Sequence, residues 1–216
     1  MELVIVPVAH VSEKSVRMVK EAIALEKPDV VAIELDALRL RSMIEKKEPG
    51  LRELASHPVA GLMYLFQKAV GKWLNVIPGS EMLAAVEAAA KGKIPVALID
   101  QEIGVTMARL AKIPLREKLS LAGQALASPI FFLTKPVEME KVMEGGALAE
   151  FFAEFSRQLP NTYRVLVDER DEHMFQRLRR IKAGKVVAVM GAGHAMGISR
   201  RIRESGGEKL KGRLRF

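Results

Sequence analysis

The chain has 216 residues, 49% of them hydrophobic and 28% charged, with a net charge of +8 and no cysteine. That length buries a core without staples, and that composition excludes disordered and fibrous classes. The missing thiols exclude a disulfide framework, an iron–sulfur centre, a thiolate zinc site and a cysteine nucleophile.

Leu3–Val6 opens the chain with a short β-branched run and predicts a buried strand. Ser12–Leu25 follows as a helix capped by Ser12, and Pro28-Asp29 turns into a second strand, Val30–Leu35. Strand, helix and strand in about 30 residues form a βαβ unit. Leu51–Leu74 reads as one or two helices, and Pro78-Gly79-Ser80 opens another that runs through Ala90 to a stop at Lys91-Gly92. Pro95–Ile99 is the third strand. Helical stretches then run without a strand: Gln101–Ala111, Leu115–Ala127, Glu138–Glu144, Ala147–Leu159 and Asn161–Ala183. Val186–Met190 is the fourth strand, and Gly212–Phe216 adds a short fifth. The expected fold is α/β: a mostly parallel central sheet of four to five strands flanked by helices. A large helical insertion, about residues 101–184, separates the third and fourth strands within a single domain over 1–216.

Residues 200–216 carry seven bases against two acids. Such a tail suits a solvated surface better than a nucleic-acid interface, because no aromatic residue except Phe216 accompanies it. The first residues lack a signal-peptide pattern, and no run of 18 apolar residues spans a membrane. Cytoplasmic localisation is the expectation. The apolar stretch Met63–Trp73 reads as buried core, with a homodimer face or a peripheral membrane contact as alternatives. Scarce Asn and Gln beside abundant Glu, Lys and Arg are typical of a thermophile.

In a parallel sheet, ligands sit beyond the carboxyl ends of the strands. All four strand ends bear a histidine or carboxylate: His10 after the first, Glu34 and Asp36 after the second, Asp100 and Glu102 after the third, His194 after the fourth. Gly191-Ala192-Gly193 before His194 forms a tight turn whose free amides favour an anion or oxyanion. Each residue also has a structural reading. His10 can be held by a backbone carbonyl. Glu34, embedded in an apolar strand, needs a partner such as Arg39 or Arg109. Asp100 can cap the next helix. Asp168-Glu169-Arg170-Asp171 is a solvated charge run on a helix unless the apolar Val165–Val167 draw part of it inward. Arg109, Arg164 and Arg170 are candidate anion clamps. His57 and His173 lie among polar residues and receive no role.

PVAH, the serine-led helix after it, VVAIELD, PGSEM, LIDQEIGVTMARL, LVDERDEHM and VMGAGHAMGI together resemble the TraB/PrgY/GumN family, which includes the Tiki proteins. The match in order and spacing runs from about residue 4 to residue 200. The resemblance implies an α/β fold of the kind found in erythromycin esterases and haem-binding ChaN proteins, here of the archaeal type and as a soluble domain. It implies a metal-dependent, peptidase-like hydrolase with His10, His194 and Glu34 as both catalytic residues and metal ligands. Glu81, Asp100, Arg109, Glu169 and Arg170 occupy the family's other polar positions. Two departures stand out: Pro7 replaces the glycine of the first GxxH, and Gln101 replaces an arginine.

The favoured chemistry is cleavage of peptide or other amide bonds, with Mn, Co or Zn held by imidazole and carboxylate. The ion would activate water. Glu34 would serve as base and Arg109 or Arg170 would stabilise negative charge. Gly191, Gly193, Glu81, Asp100 and Glu169 would contact the ligand. Two alternatives stay open: a metal-independent His–Glu hydrolase of the esterase type, and a pheromone-shutdown-like protein that sequesters a peptide or small molecule without turnover.

Overall fold

The structure is a computed structural model, and it describes residues 1–8, 13–45, 79–121, 123, 147–206 and 211–215. His10, Ser12, the helices expected over Leu51–Leu74 and Glu138–Glu144, and the Met63–Trp73 stretch lie outside the described residues.

Five strands form one all-parallel sheet. They are β1 (Glu2–Val8), β2 (Val30–Ile33), β3 (Val96–Leu98), β4 (Lys185–Gly191) and β5 (Lys211–Leu214). Their spatial order is β3-β2-β4-β1-β5. Between them run α1 (Glu13–Glu26), α2 (Ala37–Ile44), α3 (Ser80–Lys91), α4 (Ile103–Leu110), α5 (Ala147–Gln158), α6 (Pro160–Tyr163), α7 (Glu169–Arg180) and α8 (Ala192–Glu204). A π-helical turn, Arg164–Asp168, joins α6 to α7. Among the described residues no strand falls between β3 and β4.

The strands read as apolar runs because both faces are covered. Val4, Val6, Val31, Ile33, Val187 and Val189 face one layer, where Val19 and Ile23 of α1 and Met82 and Ala85 of α3 pack. Leu3, Ile5, Ala32, Val186, Ala188 and Met190 face the other, against Met174 and Leu178 of α7 and Ile198 and Ile202 of α8. The chain moves from β1 to β2 to β3 in one direction with α1 and α3 on the first face. It returns from β3 through β4 to β5 with α7 and α8 on the second. Reversing direction and face together keeps one crossover hand. β2 and β4 are neighbours whose connections leave in opposite directions. The crevice between their carboxyl ends is therefore the topological switch point.

Pro7 sits within β1, paired with Met190. Glu2 donates its N–H to Gly184, next to β4, whereas Met1 and Ile5 offer their carbonyls to β5. Even-numbered residues of β1 thus bond toward β4 and odd-numbered ones toward β5. Pairing with β5 ends at Ile5 and Leu214. Pro7 therefore lacks an N–H on the one side where no ladder bond calls for it.

Some local expectations change. Asp36 is the cap of α2, a helix the apolar pattern does not announce; its carboxylate accepts from the Leu38 and Arg39 amides at 2.9 and 3.0 Å. Asp100 does not cap α4, whose N-terminal flank is Glu102. Gly79, at φ +81°, admits the Met43 methyl where a Cβ would clash, and starts α3. The basic tail is largely paired within the chain. Arg213 and Arg215 both reach the buried Glu26, at 2.6 and 2.7 Å. The Arg213 hydrogen bond holds that carboxyl below its ordinary value.

Glu117 closes the start of the long helical run. One oxygen accepts from the backbone and side chain of Asn161 at 3.2 and 2.7 Å. The other accepts from the backbone and side chain of Thr162 at 2.8 and 2.7 Å. Burial favours the neutral acid, but these four donors outweigh it and hold the carboxyl below its ordinary value. Its stabilisation is therefore complete above the unfolded carboxylate range and lost as pH falls through the folded value. Glu117→Gln is expected to lower unfolding free energy by about 1–3 kcal/mol at neutral pH. The gap to the parent should close in acid, as read by urea titration at several pH values.

Candidate active site at the switch point

Glu34 leaves β2 directly into the crevice. Its carboxylate is 4% exposed. Oε2 accepts the Gly191 N–H at 2.6 Å, so the glycine turn after β4 binds a carboxylate of this chain. Oε1 accepts from Arg170 Nη2 at 2.8 Å and lies 3.4 Å from His194 Nε2. The expected partners Arg39 and Arg109 are not the ones found: Arg39 binds Asp100 at 2.7 Å and Arg109 binds Glu169 at 2.6 Å.

Arg170 joins the strand ends. Nε and Nη2 grip Asp100 at 3.0 and 2.7 Å, Nη2 also reaches Glu34, and Nη1 donates to the Leu166 carbonyl at 3.1 Å. Burial alone would weaken its hold on the proton, but the Glu34 and Asp100 carboxylates overcompensate and raise its pKa further. Asp100 Oδ1 also accepts the Gln101 N–H at 2.8 Å.

His194, in the first turn of α8, is the other centre. Its Nδ1 lies 2.6 Å from Asp171 Oδ1. Asp171 is 1% exposed, and Arg201 Nη1 meets its second oxygen at 3.2 Å. Burial pushes the Asp171 carboxyl above its ordinary value, against the pull of His194 and Arg201. The imidazole therefore stands between two carboxylates, and each carboxylate has its own arginine.

Of the expected residues, Glu34, Asp100, Arg170, Gly191 and His194 come together. Arg109 and Glu169 form a separate, more exposed pair, joined by Arg164 at 3.6 Å. Gly193 packs under the Phe152 ring. Glu81 is buried in the first turn of α3. His10 lies outside the described residues. A shallow groove of about 280 Å³ runs along Ala97–Ile99, Arg177 and Arg180, beside the edge strand rather than at His194.

Sequence reasoning missed Asp171, and its signal was present. Asp171, Met174, Phe175 and Leu178 are all buried. The spacing i, i+3, i+4, i+7 makes the aspartate part of the inward stripe. The π turn was not legible. Its extra residue rotates everything after it by about 100°, Arg170 and Asp171 together.

Replacing Arg170 by Met is expected to leave the buried Glu34 without a guanidinium and Asp100 with Arg39 alone, and to cost about 3–5 kcal/mol. Arg109→Met, at the exposed pair, should cost less than about 1 kcal/mol. Guanidinium unfolding of both variants reads the contrast.

Among the described residues no helix is long and apolar enough to cross a membrane. A family model described as TraB/PrgY/gumN matches residues 2–206. The chain is 32% identical to "Uncharacterized protein MJ1365" of Methanocaldococcus jannaschii, over 94% of this chain and 54% of that protein. It is 27% identical to a TraB domain-containing protein of Bos taurus and 27% to one of Homo sapiens, each over 91% of this chain and 61% of the relative. The chain thus spans a little over half the length of these relatives. With the family model covering nearly every strand and helix described above, the chain belongs to the TraB/PrgY/gumN family.

Proposed function

We propose that the protein is a hydrolase of peptide or other amide bonds, with His194 Nε2 as its working atom. The observation that carries this is the line Asp171–His194–Glu34 at the switch point. With Asp171 accepting a hydrogen bond from Nδ1–H, Nε2 is the nitrogen turned to the crevice. The side chain of His194 is 12% exposed, enough for a water or a substrate atom to reach it.

Two donors at the crevice suit a divalent ion. His194 Nε2 and Glu34 Oε1 are 3.4 Å apart, close to the separation of two ligand atoms on one tetrahedral ion with bonds of about 2.1 Å. A carboxylate behind a ligating imidazole, as Asp171 is, is the usual outer support of such a ligand. Among the described residues no group of three ligands occurs; His10 is the proposed third. Mn, Co or Zn held there would activate water and polarise the scissile carbonyl. Glu34 would bind on the oxygen that Arg170 also touches, and the arginine would keep that carboxylate ionised and fixed.

One observation favours a second reading. Arg170 already compensates the charge of Glu34. In that reading no ion is needed: His194 takes a proton from water at Nε2, and Asp171 stabilises the imidazolium that forms.

The test is calorimetric titration of the chelator-treated chain with Mn, Co and Zn, together with a peptide-hydrolysis screen of parent and His194→Ala. The expected result is one-site binding and product formation, both lost in His194→Ala. Product without metal binding selects the second reading. Saturable peptide binding with no product in the parent would overturn hydrolysis and leave a sequestering protein.

A further inference from the structure

The carboxylate that holds His194 is seated by a missing side chain. A Cβ built on Gly197 would fall 1.8 Å from Asp171 Oδ2 and 2.7 Å from its Cγ. No real carbon approaches a carboxylate so closely, so even alanine does not fit while Asp171 stays. Asp171 cannot swing into solvent without leaving a packed site in which it is 1% exposed. Arg201, one turn beyond Gly197, closes the seat. Its Nη1 reaches Asp171 Oδ2 at 3.2 Å and the Gly197 carbonyl at 3.4 Å, and its Nη2 reaches the Asp168 carbonyl at 3.0 Å. His194, Gly197 and Arg201, at i, i+3 and i+7, thus present one face of α8 to one carboxylate of α7.

Gly197 lies inside α8. Apart from proline, glycine is the least favoured residue in a helix interior, so helix formation argues for alanine there. The Asp171 seat argues for glycine, and glycine is what the sequence has.

We propose that Gly197 is a positioning residue: by lacking a Cβ it lets Asp171 reach His194 Nδ1, which fixes the ring with its Nε2 turned toward Glu34. This deepens the reading of His194 as the working residue and rests on it. Close packing of α7 on α8 would also use a glycine, so the test has to separate the carboxylate from the helix contact.

The experiment compares Gly197→Ala, Asp171→Ala and the double variant. The first readout is the His194 Nδ1 proton by 1H–15N NMR, assigned by its absence from His194→Ala. The parent should show it as a slowly exchanging, downfield signal, and both single variants should lose it. The second readout is melting temperature. Gly197→Ala should lower it in the parent. In the Asp171→Ala background the same change should raise it, because the new methyl then has room and alanine favours the helix. If Gly197→Ala does not fold, folding of the double variant supports the same conclusion. The third readout is turnover, where Gly197→Ala should lower kcat about 10²-fold with KM little changed. A retained Nδ1 signal in Gly197→Ala overturns the proposal. So does a loss of melting temperature, or of folding, that is the same in both backgrounds. Absence of product from the parent would defeat the hydrolase reading alone, since the proton signal and the sign reversal in melting do not depend on turnover.

Discussion

The site depends on one guanidinium. Arg170 lies between Glu34 at the end of β2 and Asp100 at the end of β3, and uses its donors on both and on the Leu166 carbonyl. Removing two carboxylates and an arginine from water costs several kcal/mol per ion, so this network is weak evidence for stability by itself. Its effect is positional. Asp100 is held from a second side by Arg39 of α2, and Glu34 from a second side by the Gly191 amide. Four elements are therefore tied to one planar group with fixed donor directions. A lysine, with one charged point and no fork, lacks the geometry to replace it.

The same helix supplies the opposite support. Arg170 holds the carboxylate on the Nε2 side of His194, and Asp171 is the carboxylate on the Nδ1 side. Consecutive residues on an ordinary helix point about 100° apart. They serve both sides of one imidazole here because α7 passes over the carboxyl ends of the sheet while α8 begins there. The π turn just before α7 shifts the phase of the whole helix, and so sets which way the pair faces. A π turn is rare and weakens local hydrogen bonding, and it recurs where a side chain must be aimed. His194 thus has two carboxylate oxygens in reach, at 2.6 Å from Nδ1 and 3.4 Å from Nε2, and the shorter contact ties the ring to α7.

Much of the fold was legible in the sequence. The four apolar runs and the fifth short strand appear in the sheet, since β-branched runs of that length bury both faces. The convergence of Glu34, Asp100 and His194 followed from strand ends alone. The need of Glu34 for a cationic partner was also legible from its apolar surroundings. Which arginine answers it was not: Arg170 is 136 residues away, and its aim depends on a π turn that no apolar pattern encodes. Arg39 was closer in sequence but is drawn to Asp100, because α2 starts on its own aspartate cap at Asp36. Glu117, which closes a helix start 44 residues later, is a nonlocal cap of the same kind. Such contacts are set by the packed fold, not by neighbours in the chain.

Several departures from local rules meet at the carboxyl end of the sheet. Proline sits inside a strand at position 7, glycine inside a helix at 197, a π turn at 164–168, and carboxylates in apolar surroundings at 34, 100 and 171. Each runs against propensity or burial taken alone. Each has a counterpart in the same region. Pro7 lies beyond the last pairing of β5, Gly197 makes room for Asp171, the π turn aims Arg170, and the carboxylates meet Arg39, Arg170 and Arg201. At the amino ends of the same strands the buried Glu26 meets Lys185, Arg213 and Arg215, a cluster that holds the basic tail to the sheet. Departures that answer one another across β1, β2, α7 and α8 make this crevice the place where local preference yields to contacts between elements.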